Sequence, residues 1–163
     1  MNILNGPVTT TIRRKVNELL VYHNTYRFEN SKVITKTIEV LVSAAQLIAM
    51  YTTPKVLVAA PGAGYALSFI RAVVICDSTA TPFTGGGVIT INYASGAAQS
   101  SDLAATFLGA GDKIFNLEKL NATGGLTMPV NTGLVLTNAT GVFAAGTGVC
   151  RVQIEYSVHE TGL

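Results

Sequence analysis

Residues Cys150 to Val158 alternate without exception: Cys150, Val152, Ile154, Tyr156 and Val158 are apolar, while Arg151, Gln153, Glu155 and Ser157 between them are polar. A period of two is the signature of a β-strand with one buried and one wet face. Such a strand cannot bury its apolar face alone, so it requires a second layer. The same grammar recurs upstream in short apolar runs separated by Gly, Pro, Asn and Thr, which predicts antiparallel sheet packed on sheet.

The runs can be followed along the chain. Ile38, Val40 and Val42 form a first strand, and Ser43 caps one helical turn through Leu47 that Thr53-Pro54 ends. Val56 to Val58 leads into the turn Pro61-Gly62-Ala63-Gly64, and Tyr65 to Cys76 is a long apolar run broken by Ser68 and Arg71, as expected of a central strand. Gly85-Gly86-Gly87 opens Val88 to Ala94, with Ile89, Ile91 and Tyr93 on one face. A second short helix is expected at Asp102 to Leu108, capped by Ser100 or Ser101 and ended by Gly109. Lys113 to Leu117, Leu126 to Val130, Gly133 to Asn138 and Val149 to Val158 bring the total to about eight strands, for which a jelly-roll sandwich is the commonest arrangement.

Ahead of this body, Ile12, Val16, Leu19 and Leu20 recur at helical spacing behind Thr9, Thr10 and Thr11, predicting a short amphipathic helix over about 12–22. Composition changes near Lys36, which divides the chain into an N-terminal arm, residues 1–36, and a β domain, residues 37–163. The arm carries Arg13, Arg14, Lys15, Arg27, Lys32 and Lys36 against Glu18 and Glu29, whereas the body has five basic residues against seven acidic ones. A solvated helix or an arm that docks on an acidic protein surface both fit this imbalance. No nucleic-acid motif interleaves its basic residues with aromatics.

Only 12% of the 163 residues are charged, against 48% hydrophobic, so Ser, Thr, Asn, Gly and Ala must supply the surface. Charge repulsion then protects such a surface poorly from association, which suits a protein of an assembly. No apolar stretch is long enough to span a bilayer: Val40 to Met50 is interrupted by Ser43 and Gln46. No signal-peptide core follows Arg13, Arg14 and Lys15, so a cytoplasmic site of synthesis is expected. Cys76 and Cys150 then read as two small buried hydrophobes, with a disulfide as the alternative.

Chemistry is sparsely signalled. His23 and His159 fall in the arm and at the C-terminus, with no metal-ligand spacing around them. Ala60 to Tyr65 lacks the G-K-[ST] ending of a phosphate loop and reads as a turn. Asp102 with Asp112, or Glu155 with Glu160, would need unseen geometry to act as a carboxylate pair. Asn121-Ala122-Thr123 and Asn138-Ala139-Thr140 match the glycosylation pattern by accident if no secretory signal is present. No enzyme activity, cofactor or metal is expected. A carbohydrate-binding or receptor-binding module is the rival reading, through Tyr65 and Phe83 as exposed loop aromatics.

The runs Thr53 to Gly64, Phe69-Ile70-Arg71-Ala72-Val73, Gly85-Gly86-Gly87 with Ile91-Asn92-Tyr93, Leu134 to Ala139 and Arg151 to Tyr156 resemble a pattern in small jelly-roll structural proteins of tailed bacteriophages. The resemblance covers Ile38 to Val158 and leaves the arm outside. It implies a head decoration (cement) protein on the virion's capsid surface, assembled in the host cytoplasm. The implied partners are a homotrimer, the major capsid protein and neighbouring decoration trimers, without nucleic acid or membrane; similar modules occur in tail and head-fibre receptor binders. Ile12, Arg13, Arg14, Lys15, Val16, Leu19 and Leu20 are then the candidate capsid-contact residues.

Overall fold

A computed structural model describes residue 15 and residues 33–77, 81–121 and 125–161. The chain divides into two units, Met1–Lys32 and Val33–Leu163. In the first, Lys15 is described, as a helical and exposed residue. The amphipathic helix read at 12–22, with Ile12, Arg13, Arg14, Val16, Leu19 and Leu20, otherwise lies outside the described residues, as does His23.

The second unit is predominantly β. Its strands are β1 (Val33–Val42), β2 (Lys55–Val58), β3 (Tyr65–Asp77), β4 (Thr84–Gly85), β5 (Ile89–Tyr93), β6 (Lys113–Glu118), β7 (Leu134–Asn138), β8 (Phe143–Ala144) and β9 (Val149–Glu160). Among the described residues, a helix, α1 (Ala44–Ala49), and a 3-10 turn, Ala105–Leu108, accompany them. A four-stranded sheet has the order β1-β9-β3-β6, a three-stranded sheet the order β2-β7-β5, and β4 pairs with β8. Every pairing is antiparallel.

Several expectations change. β1 forms over the whole extended stretch Val33 to Val42, as that stretch reads, but Val33 to Lys36, placed in the arm by composition, pair with the far end of β9. The last strand extends to Glu160 because β1 and β3 hold it on both sides, and His159 therefore sits in a paired strand instead of a frayed terminus. Leu126 to Val130 forms no strand; only Val130 makes an isolated bridge, to Ala66. The second helix shrinks to the 3-10 turn, because Ser100 is buried and its Oγ accepts from the Ile91 N–H, 2.8 Å away, instead of capping. Gly109 closes that turn in extended backbone, without the left-handed conformation of a glycine cap. α1 forms as read: Ser43 Oγ accepts from the Gln46 N–H while Gln46 Oε1 accepts from the Ser43 N–H, a capping box that places Leu47 in the core.

One irregularity in β3 sets much of the rest. Phe69 pairs with Tyr156 and Arg71 with Glu155, leaving Ile70 as an extra residue. Before this bulge Leu67 and Phe69 point into the core; after it Ala72, Val74 and Cys76 do. An inserted residue reverses strand parity, which is why this run shows no single alternation in the sequence. The reversal also turns Cys76 inward, opposite Cys150, and the two are joined as a disulfide with Cα atoms 4.1 Å apart. The expectation of two separate buried thiols is thereby corrected.

The core forms where the two sheets face each other. Val42, Val152, Ile154, Phe69 and Leu117 from the larger sheet meet Leu57, Ile91, Tyr93, Leu134 and Leu136 from the smaller. Tyr93 is fully buried on β5 and its hydroxyl donates to the Leu67 carbonyl on β3, tying the sheets together. Near β4 and β8, Gly86 has φ +72° and Gly87 lies where a Cβ would stand 2.1 Å from Thr140 Oγ1. The Gly85-Gly86-Gly87 run is thus required by backbone conformation and close approach.

Four perturbations probe this core and its outer face. Ile154 is wholly buried whereas Gln153 is exposed, so Ile154→Asp should cost at least about 4 kcal/mol and yield no soluble folded protein. Gln153→Asp should cost about 1 kcal/mol or less, read by urea unfolding, although it loses the bond to Glu39. Burial raises the Tyr93 pKa above its ordinary 10.0. The folded state then holds this proton more tightly than the unfolded chain, so its stabilisation is complete below the unfolded pKa and is lost as pH rises through the folded one. Tyr93→Phe should accordingly lower neutral-pH stability by about 1 kcal/mol but flatten the alkaline fall of Tm. The disulfide closes a loop across a sequence separation of 74. Its reduction should therefore lower urea-unfolding stability by about 2–4 kcal/mol.

Candidate functional site

The outer face of the four-stranded sheet carries the side chains that β9's alternation turns away from the core, and the strand registers arrange them in rows. The first row is Leu41, Arg151, Ile75 and Ile114, across β1, β9, β3 and β6. Leu41 is 59% exposed and Ile114 68%, so two large aliphatic side chains stand in solvent on either side of a cation. The next row is Glu39, Gln153, Val73 and Asn116, where Gln153 Nε2 donates to Glu39 Oε2 at 2.8 Å. The third holds Thr37, Glu155, Arg71 and Glu118, with Arg71 Nε donating to Glu155 Oε2 at 2.7 Å. The Arg71 side chain is 62% exposed, so solvent screens this ion pair and limits it to at most about 1 kcal/mol.

Beyond the bulge the face changes character. Ser68 and Ser157 lie opposite each other, and both are buried although they point away from the core. They are covered by residues 119–121 and 125–131, which the Ala66–Val130 bridge and the Asn131 N–H bond to the Tyr65 carbonyl fasten over β3. Lys119 Nζ donates to Ser68 Oγ at 2.9 Å, and Ser157 Oγ lies 2.7 Å from His159 Nε2. Between these groups and the apolar side chains of Leu120, Leu126 and Met128 lies a cavity of about 420 Å³.

These pairs superficially resemble activated hydroxyls. However, Lys119 is exposed and serves Ser68 as a donor, the role of an ammonium and the opposite of a general base. Ser157 and His159 share one strand two residues apart, a spacing that brings any such pair onto one face. The arrangement offers hydrogen-bond donors to a ligand. A second hollow, of about 290 Å³, opens between the sheets beside Lys36, Ile38, Leu57, Leu67 and Tyr156. Among the described residues no group of three or more His, Cys, Asp or Glu could hold a metal ion, and no helix is long and apolar enough to cross a membrane.

Of the residues singled out from sequence, Phe83 is buried, in a T-shaped contact with Phe143 at 6.3 Å. It helps line a crevice with Cys76 and Asp77, the opposite end of β3 from the 44%-exposed Tyr65. The two aromatics proposed for sugar binding therefore do not converge. Asn138 is buried and its Nδ2 donates to the Gly141 carbonyl, so it offers no glycosylation site. Ala60 to Tyr65 is the expected turn, with φ of +103° at Gly62 and +79° at Gly64. The grouping of Ser68, Lys119, Ser157 and His159 was not read from sequence; its traces there are Ser68 interrupting an apolar run and the two-residue spacing of Ser157 and His159.

No protein-family model matches the sequence, and no curated protein is significantly similar to it. A solved structure, that of infectious bursal disease virus, Gx strain, aligns with a TM-score of 0.28 at 12% identity, over 78% of this chain and 37% of that one. This chain thus spans little more than a third of that one's length, and a likeness so weak carries no functional argument.

Proposed function

We propose that this protein is a non-enzymatic structural component of a bacteriophage virion: a jelly-roll decoration protein that trimerises on the capsid surface and stabilises the head by binding the major capsid protein. The observation that carries the reading is the outer row of the larger sheet, where Leu41, Ile75 and Ile114 flank Arg151. Aliphatic side chains on an exposed sheet face, in a chain so poor in charge, are surface suited to being covered by a neighbouring subunit.

The pairing pattern supports the jelly-roll description. Counting β1, β2, β3, β5, the segment 98–103, β6, β7 and β9 in order, the first pairs with the last, the second with the seventh, and the third with the sixth. The fourth meets the fifth through the bridges Ile89–Leu103 and Asn92–Ala98. Such pairing is what one long antiparallel ribbon rolled into two sheets would make, which supports reading the fold as a jelly roll. The contacts between β3 and β9 and between β5 and β7 are those that rolling creates.

In this reading the outer row packs between protomers and the basic arm, with Arg13, Arg14 and Lys15, grips the shell. Binding only to the assembled shell stabilises it by RT ln(1 + [L]/Kd), about 2.7 kcal/mol per site at a hundredfold excess over Kd. Many sites make a modest affinity sufficient. A disulfide also suits a particle that leaves the reducing cytoplasm after assembly.

Sedimentation equilibrium of the full chain should give a trimer, and Ile114→Glu with Leu41→Glu should give a folded monomer. Because β1 starts at Val33, a chain lacking residues 1–32 should stay folded and trimeric yet lose capsid binding, assayed by co-sedimentation with particles. Binding by the intact chain should weaken with added salt. A wild-type chain that is monomeric at micromolar concentration, or an arm-deleted chain that keeps full capsid occupancy, would contradict the assignment of these surfaces.

A further inference from the structure

We propose that the cavity over the outer end of β3 and β9 is a binding site for a small amphipathic carboxylate. Its volume, about 420 Å³, is that of a ligand site. One side is polar and donor-rich, and the other is apolar.

The head-group chemistry follows from the hydrogen bonds already made. Lys119 Nζ uses one of its three N–H donors on Ser68 Oγ, 2.9 Å away, and keeps two. Ser68 Oγ, as the acceptor in that bond, keeps its own O–H proton to donate. An ammonium and a hydroxyl this close together can serve one carboxylate, which accepts at both oxygens. Among the described residues no Asp or Glu lines the cavity, so the Lys119 charge meets no competing carboxylate in that wall. Gln99, buried at the back, has its Nε2 committed to the carbonyls of Ala97 and Ala98, at 3.3 and 2.9 Å, and stiffens the wall instead of rearranging.

The opposite wall decides what the head group is attached to. Leu120 is 36% exposed and Met128 41%, and Leu126 is half-buried beside them. A bare anion would leave these side chains wet, whereas a short aliphatic chain would cover them, with the flexible thioether of Met128 adapting to its shape. Among the described residues no Phe, Tyr or Trp lines the cavity, whose one ring is the imidazole of His159, so the broad stacking surface on which sugars are usually held is missing from this wall.

The test uses the full-length chain and sodium octanoate as the probe, followed by calorimetry and by amide chemical shifts. Octanoate should bind with a Kd on the order of 1 mM or tighter, given its size. The shifts should map to Ser68, Lys119, Met128 and His159. Acetate, which has the head without the chain, and octanamide, which has the chain without the charge, should each bind at least about fivefold more weakly. Lys119→Met, which keeps the stem and removes the charge, should weaken octanoate by a similar factor with Tm unchanged; Lys113→Met should not. Leu126→Asp, on a loop, should abolish binding while leaving the fold intact. Equal affinity for octanoate and octanamide, undiminished binding by Lys119→Met, shifts that map elsewhere, or no binding of octanoate would each overturn the proposal. None of these results depends on whether the chain decorates a capsid.

Discussion

The two-sided pairing of β9 is the constraint on which the remaining structure depends. β9 lies between β1 and β3 for nearly its whole length, and its inward side chains, Cys150, Val152, Ile154 and Tyr156, are buried against the smaller sheet. A strand held on both edges has no freedom to slip, because a one-residue shift would place Arg151, Gln153 and Glu155 in the core. Once β9 is fixed, β1 and β3 are fixed with it, and β6 follows through β3. The smaller sheet then has a single apolar face to cover, and Tyr93 joins the two layers through Leu67.

The bulge at Ile70 divides the outer face into two regions of different use. On one side of it lies a flat, exposed sheet surface, charged in its middle rows and aliphatic at the far end. On the other, Ser68 and Ser157 are covered by the segments that follow β6, and a cavity forms beneath them. A regular β3 would have turned Ser68 or Cys76 the other way. Either the hydroxyl that accepts from Lys119 or the disulfide partner of Cys150 would then be lost. A single inserted residue therefore sets both the facing of Cys76 toward Cys150 and the facing of Ser68 toward Lys119, through backbone parity alone.

Pairing between distant segments explains what was and was not legible. The alternation of β9, the inward placement of Ile89, Ile91 and Tyr93, and the Ser43 cap were readable because each is a local pattern of side-chain period or hydrogen-bonding geometry. Composition set the boundary of the arm at Lys36, inside the extended stretch Val33 to Val42, whereas Val33 to Lys36 pair with the far end of β9 as part of one strand. Ser100 had the residue type of a cap, but a buried backbone N–H of Ile91 competed for its hydroxyl and took it. Leu126 to Val130 is apolar enough for a strand, yet it lies across the end of β3 with a single bridge and lines a cavity instead.

By itself, the sequence determined that this chain is a β protein with antiparallel pairing and a charge-poor surface, because period-two alternation and composition are properties of neighbouring residues. Tertiary structure alone decided the pairing of Cys76 with Cys150, the burial of Phe83 away from Tyr65, and the meeting of Ser68, Lys119, Ser157 and His159. Each of these depends on which distant strand lies alongside and in what register. Register is set by the whole set of side chains competing for one core, together with one bulge that no local pattern announces.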